Sequence, residues 1–136
     1  MCRMSGLTVE RHIPAPPERV WRALTDPAEL AAWFWPPRFE TVAELEAREG
    51  GALRIASAPA EMAVTGTVTA VEPGHGFSTT WRWDGEDIET RVTIALTPDG
   101  DGTRVTVRHD GFADGEAAAE HVRGWNDCLD RLPGML

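Results

Sequence analysis

The chain has 136 residues, 42% of them hydrophobic and 26% charged, which fits one globular domain over residues 1–136. Its net charge of −9 repels phosphate backbones and anionic lipids, so we expect no nucleic acid among its partners. No apolar run approaches the ~20 residues that cross a bilayer, and no secretory or lipidation motif is visible. We therefore expect no membrane insertion and a cytoplasmic location.

The cysteines and histidines show no pattern typical of a disulfide or a metal site. Cys2 and Cys128 lie at opposite ends of the chain, and neither belongs to a CxxC motif. The four histidines, at positions 12, 75, 109 and 121, have no paired ligand spacing. We expect neither a structural disulfide nor a bound metal ion or other cofactor.

The first elements in chain order are a strand and a short helix. Alternation over residues 7–13 predicts the strand, and the prolines at 14, 16 and 17 end it because proline cannot donate to a sheet. Val20, Trp21 and Leu24 then fall on one helical face. This helix should end before Pro27, since a residue that precedes proline is pushed out of the helical region.

A second short helix follows at once. Asp26 is suited to cap it, Pro27 to occupy its first position, and Glu29 to complete a capping box. The helix is predicted to run into Trp33-Phe34-Trp35 and to be closed by Pro36-Pro37.

From Phe39 onward the hydrophobic period changes to two, which predicts an antiparallel meander. Turn sequences separate the strands, and Asp99-Gly100-Asp101-Gly102 is the clearest of them. The helical period returns over 117–132, where Val122, Trp125 and Leu129 share a stripe with Leu132. The predicted strands are 39–48, 52–57, 62–72, 76–83, 88–97 and 103–110.

This order of elements predicts an α+β protein. A curved antiparallel sheet of about seven strands needs a cover on one face, and only the C-terminal helix is long enough to provide it. We therefore expect the sheet to wrap around that helix, with two short helices after the first strand.

Several local motifs occur in a distinctive order along nearly the whole chain. They are Val20-Trp21-Arg22-Ala23-Leu24 with Thr25-Asp26-Pro27, Trp33, Gly50-Gly51, Gly66 with Val71-Glu72-Pro73-Gly74, Trp81, Gly102-Thr103, His109-Asp110-Gly111-Phe112, and Gly124-Trp125 with Leu129. In these motifs the chain resembles the SRPBCC superfamily of START-like, or helix-grip, proteins. Within it the chain is most similar to the branch of heat-shock ATPase activator homologues, which are mostly small bacterial proteins.

The resemblance implies a cavity between the sheet and the long helix, which different members use for lipids, polyketides or hormones, or as an interaction platform. Strand parity predicts which side chains face such a cavity. One inward set is Phe77, Thr79, Trp81 and Trp83; a second is Ile88, Thr90, Val92 and Ile94; a third is Val105, Val107 and His109. With contributions from the helices and from other strands, the candidate ligand-binding residues are Trp33, Phe39, Met62, Trp81, Trp83, Val92, His109, His121 and Trp125.

His109 is the polar candidate, because parity places it beside Val107 on the inward face. It could anchor a ligand, act as a general acid and base with His121, or be a hydrogen-bonded structural residue. Asp110 points to the opposite face, so the two residues do not form a catalytic dyad. The tryptophans could likewise be core residues only.

Three functions follow as hypotheses. The leading one is non-enzymatic binding of a small hydrophobic or aromatic molecule of the lipid or polyketide kind, which six tryptophans could enclose. The second is an enzyme of the polyketide cyclase or dehydratase type that uses His109. The third is a co-chaperone-like interaction module with a chaperone ATPase as its partner. A homodimer could form through a sheet edge or through an exposed Trp33-Phe34-Trp35 cluster.

Overall fold

A seven-stranded antiparallel sheet and a long C-terminal helix dominate the structure, a computed structural model that describes residues 5–136. Cys2 lies outside the described residues. The strands are β1 (Ser5–Ile13), β2 (Val42–Leu45), β3 (Ala52–Ser57), β4 (Met62–Glu72), β5 (Gly76–Trp83), β6 (Thr90–Asp99) and β7 (Gly102–Phe112). The helices are α1 (Pro17–Thr25), α2 (Pro27–Trp33) and α3 (Gly115–Arg131), with 3₁₀ turns at Pro37–Phe39 and Leu132–Met135.

The strand order in the sheet is β1-β7-β6-β5-β4-β3-β2, with every neighbouring pair antiparallel. Only β1 is inserted out of chain order, because it pairs with the last strand. The sheet is curved, and α3 packs over β1 and β7 at one side of it. The α+β prediction, a sheet of seven strands around a long C-terminal helix, is confirmed.

Two of the predicted strands have wrong boundaries. The strand expected over 39–48 is reduced to β2, because Phe39 ends a 3₁₀ turn and Glu40 adopts a left-handed backbone with φ of 47°. The strand expected from residue 88 begins at Thr90, and Ile88 is 47% exposed in the preceding loop. Ile88 therefore does not belong to the inward set that contains Val92.

Only one half of the predicted capping box forms at the start of α2. The Asp26 carboxylate accepts hydrogen bonds from the backbone N–H groups of Ala28 at 2.9 Å and Glu29 at 3.2 Å. The Glu29 side chain does not return to Asp26, whose N–H already donates to the carbonyl of Arg22. Glu29 instead forms ion pairs with Arg19 and Arg22, so it ties α2 to α1 rather than completing a capping box.

The segment Trp33-Phe34-Trp35 is buried in the core. Its three side chains are only 2%, 4% and 8% exposed, so the expectation of an exposed cluster available for dimerisation is wrong. The reason is that the backbone at the end of α2 is fastened to α3: the Arg131 guanidinium donates to the carbonyls of Trp33 at 3.1 Å and Phe34 at 2.7 Å. None of the helices within residues 5–136 has the length and apolar character required to cross a membrane.

Candidate functional site

A cleft of about 510 Å³ lies between the end of β5, the middle of α3 and the segment that follows α2. Its lining is dominated by aromatic rings, with charged side chains also present. The lining residues are Phe34, Trp35, Pro36, Arg38, Phe39, Met62, Trp81, Trp83, Glu86, Ala117, Glu120, His121, Gly124, Trp125, Asp127, Cys128 and Arg131. The volume is within the range of small-molecule sites in proteins.

The aromatic wall is continuous from the loop after α2 to the strand. Trp35 lies nearly parallel to Trp83, with an interplanar angle of 19° and ring centroids 6.1 Å apart. Trp83 meets Trp81 edge to face at 6.0 Å, and Trp81 lies 5.5 Å from Trp125 of α3. Contacts of this kind fix the rings relative to one another, so the cleft presents broad, rigid, apolar surfaces.

Three rings separate the cleft from a second, interior space of about 20 Å³. Phe34, Trp81 and Trp125 line both spaces and pack together with centroid distances of 5.5–6.0 Å. The wall of the interior space is apolar apart from Thr79. The inner part of the helix-grip cavity is therefore almost filled by side chains, and the available volume lies outside these three rings.

The charged residues of the cleft differ in how far they are engaged. Arg131 forms an ion pair with Asp127 one turn away on α3, in addition to its bonds to the backbone after α2. The guanidinium of Arg38 lies 5.2 Å from the ring centroid of Phe39, at cation–π distance. Glu86 and Glu120 are exposed.

His109 is buried in the core, with no exposed surface. Trp125 Nε1 can only donate, and it lies 3.0 Å from His109 Nδ1, so Nδ1 is the acceptor. The proton of the neutral ring is then on Nε2, which donates to Thr90 Oγ1 at 2.6 Å, and Thr90 in turn donates to the carbonyl of Trp81. Burial, with a smaller contribution from the neighbouring His121, lowers the pKa of His109 to about 3.

His121 is held in the opposite tautomer at the edge of the cleft. The indole Nε1 of Trp83 donates to His121 Nε2 at 3.0 Å, which leaves the ring proton on Nδ1. Nδ1 donates to the carbonyl of Ala117, one helical turn earlier, at 2.8 Å. Each histidine therefore orients one tryptophan of the cleft wall, and both of its nitrogens are engaged in doing so.

Cys128 also lines the cleft, although it is only 4% exposed. Its Sγ donates to the Phe34 carbonyl at 2.8 Å, and burial raises the pKa of the thiol to about 12. A thiol with so little thiolate is a poor nucleophile. Cys128 therefore helps to hold the end of α2 against α3.

The structure brings six of the nine predicted ligand-binding residues to the cleft and leaves three elsewhere. Phe39, Met62, Trp81, Trp83, His121 and Trp125 line it. Trp33 instead lines the interior space together with Phe34, and its Nε1 donates to the carbonyl of Ala23. Val92 and His109 are fully buried beneath other side chains.

Sequence reasoning missed Phe34 and Gly124. Phe34 separates the cleft from the interior space, and Gly124 lies in the middle of α3 facing the cleft. A glycine inside a helix was the available signal, because it destabilises the helix relative to alanine and so indicates a reason to omit a side chain.

Metal coordination has no support in this region. Across the described part of the chain, no group of three His, Cys, Asp or Glu side chains is placed to hold a metal ion.

Asp110 is exposed on the other face of β7, as its parity predicts. Arg82 and Arg91 are exposed as well, so neither guanidinium enters the cleft.

Comparison with known proteins places the chain among relatives of the same fold. Residues 14–136 match the family model described as Activator of Hsp90 ATPase homolog 1-like protein. A crystal structure from Rhodobacter sphaeroides is 29% identical, with a TM-score of 0.83 and coverage of 98% of this chain and 95% of that one. MLL2253 from Mesorhizobium loti is 28% identical, with a TM-score of 0.84 and coverage of 96% of each chain.

A third similar structure is DynU16, a protein in the dynemicin biosynthetic locus. It is 28% identical with a TM-score of 0.80, and the alignment covers 94% of this chain and 45% of the longer DynU16 chain. No curated protein shows significant sequence similarity to this chain.

Proposed function

The chain belongs to the Activator of Hsp90 ATPase homolog 1-like family, and from this premise we propose that it binds a small, planar, largely hydrophobic molecule in the cleft between β5 and α3. The polyketide class fits this description better than a flexible lipid, because the walls are flat aromatic rings. The similarity to DynU16, a protein in a biosynthetic locus, supports the same class.

The observation that carries this proposal is the open aromatic cleft beside Gly124. A Cβ placed on Gly124 would meet no heavy atom within 4 Å, so packing within the protein does not require glycine there. Glycine in a helix interior costs roughly 0.5–1 kcal/mol relative to alanine. A ligand that lies against the backbone of α3 would account for the missing side chain.

Binding is favoured over catalysis by the state of the polar groups. Both nitrogens of His109 are engaged in the core, and His109 does not line the cleft, so it is poorly placed for acid-base work on a bound molecule. The thiol of Cys128 is protonated and hydrogen-bonded. The cleft thus offers shape and apolar surface, but no activated nucleophile or base among these candidates.

An outer docking face is also less favoured, because among the described residues the exposed large hydrophobic side chains are Val42, Ile88 and Leu136. Val42 lies on the edge strand β2, Ile88 in the β5–β6 loop, and Leu136 at the C-terminus. Isolated side chains of this kind are ordinary on protein surfaces and do not mark an interface.

The proposal is tested by filling the cleft from Gly124. A screen of planar aromatic, polyketide-type and lipid compounds by thermal shift should find planar aromatic ligands for the wild type, with about 2.7 kcal/mol of stabilisation at 100 times the dissociation constant. Gly124→Leu should fold and lose this stabilisation, because its side chain enters the cleft. Gly124→Ala should fold and retain most of it.

Gly115→Leu is the matched control, since Gly115 is also on α3 with open space at its Cβ position, but does not line the cleft. It should bind as the wild type does. Equal binding by Gly124→Leu and the wild type would place the ligand elsewhere and refute the proposal, as would a screen without any planar ligand.

A further inference from the structure

The indole N–H of Trp81 is a buried hydrogen-bond donor without an acceptor. Trp81 is 4% exposed, and its Nε1 has no partner among the described residues. The buried Trp33 and Trp125 are satisfied, since they donate to Ala23 and His109, and the half-buried Trp83 donates to His121. Buried donors in folded proteins almost always have a partner, so the exception at Trp81 requires an explanation.

The interior space behind Trp81 does not supply the missing acceptor. The only hydroxyl that lines it belongs to Thr79, and this hydroxyl donates to the carbonyl of Thr80 and makes no hydrogen bond with Trp81 Nε1. A water molecule there would need two to four polar partners, which this wall does not offer. The other space that Trp81 lines is the cleft.

We propose that Trp81 is the specificity-determining residue of the cleft, and that its indole N–H donates a hydrogen bond to a carbonyl or ether oxygen on a planar aromatic ligand. This inference rests on the proposed function, because it assigns one polar group of the ligand bound there. Nε1 has almost no accessible surface, so the ligand oxygen reaches it only when a neighbouring side chain is displaced on binding. Phe34 is the neighbour that this displacement would involve, since it packs on Trp81 and borders both spaces.

The test compares two planar tricyclic probes that differ by one carbonyl oxygen, 9-fluorenone and fluorene. The wild type should bind fluorenone about fivefold more tightly, the effect of one neutral hydrogen bond in a buried site. In Trp81→Phe, which keeps an aromatic ring but has no N–H, the ratio of the two dissociation constants should fall to about one. Trp21→Phe, on α1 outside the cleft, should keep the wild-type ratio.

A second measurement does not depend on any variant of Trp81 folding. In ¹⁵N-labelled wild type, fluorenone should move the indole proton signal of Trp81 downfield, and fluorene should not. Binding of both probes with equal affinity and no such difference would overturn the role of Trp81 while leaving the proposed function intact. Failure of both probes to bind would contradict the proposed function and this inference with it.

Discussion

The indole nitrogen of Trp125 donates to Nδ1 of His109 across 3.0 Å, and this bond fixes the histidine as a neutral ring in the core. Trp125 is at the same time part of the cleft wall. His109, which the sequence marks as a possible catalyst, therefore holds an aromatic side chain of the cleft in place.

The burial of neutral His109 predicts that the protein loses stability in acid. Its pKa is lowered to about 3 in the folded state from an ordinary value of 6.5, so between these values the unfolded chain binds a proton that the folded chain does not. The free energy of unfolding should fall by about 1.4 kcal/mol per pH unit from this group as the pH drops below about 6. Urea unfolding at pH 8, 6, 5 and 4 measures it.

His109→Gln separates this contribution from that of the carboxylates. The variant lacks the titrating ring, so its stability should depend less steeply on pH between 6 and 4 than that of the wild type. His75→Gln, at an exposed position, should keep the wild-type slope. Identical slopes for wild type and His109→Gln would show that His109 is protonated in the folded protein.

The fold could be predicted from the sequence because its periods are clear. Alternation along β5 and β7, and the turn Asp99-Gly100-Asp101-Gly102 between β6 and β7, indicate paired antiparallel strands without knowledge of long-range contacts. The wrong predictions concern strand starts that depend on the local backbone conformation rather than on the hydrophobic period. Because Glu40 has a left-handed conformation, β2 begins later in the chain than predicted, and the polar loop after β5 leaves Ile88 outside β6.

The lining of the candidate cleft could be predicted only in part, because strand parity gives the face of a residue but not its depth. His109, Val92 and Trp81 all point inward, yet α3 packs over β1 and β7, which covers His109. Trp83, at the end of β5, is only half-buried and reaches the cleft. Which inward residues remain accessible depends on where the long helix lies across the sheet, and a single sequence carries no direct signal of that position.

The Arg131 side chain should contribute measurably to stability, because it donates to two backbone carbonyls at the end of α2. Arg131→Met keeps much of the aliphatic stem but removes these donors, and the carbonyl of Trp33 loses this hydrogen bond. We expect a loss of about 1–3 kcal/mol in the free energy of unfolding, measured by urea titration. Arg123→Met, at an exposed position of the same helix, should change stability by less than about 0.5 kcal/mol.

The Cys128 thiol should be unreactive in the folded protein, because burial raises its pKa to about 12 and Sγ donates to the Phe34 carbonyl. The test uses the Cys2→Ser variant, in which Cys128 is the single remaining cysteine. A colorimetric disulfide reagent at pH 8 should label it quickly after unfolding in guanidinium, and at least about a hundredfold more slowly in the native state. Equal rates in the two states would contradict the described environment of Cys128.

The central claim, that a planar ligand occupies the cleft, is tested most directly by the tryptophans themselves. The chain has six, of which Trp35, Trp81, Trp83 and Trp125 line the cleft, whereas Trp21 and Trp33 do not. Their indole N–H signals can be followed by NMR in ¹⁵N-labelled protein during titration with 9-fluorenone. We predict saturable shifts of the four cleft signals and little change in the other two. Shifts confined to Trp21 and Trp33, or no saturable shift at any tryptophan, would contradict the claim.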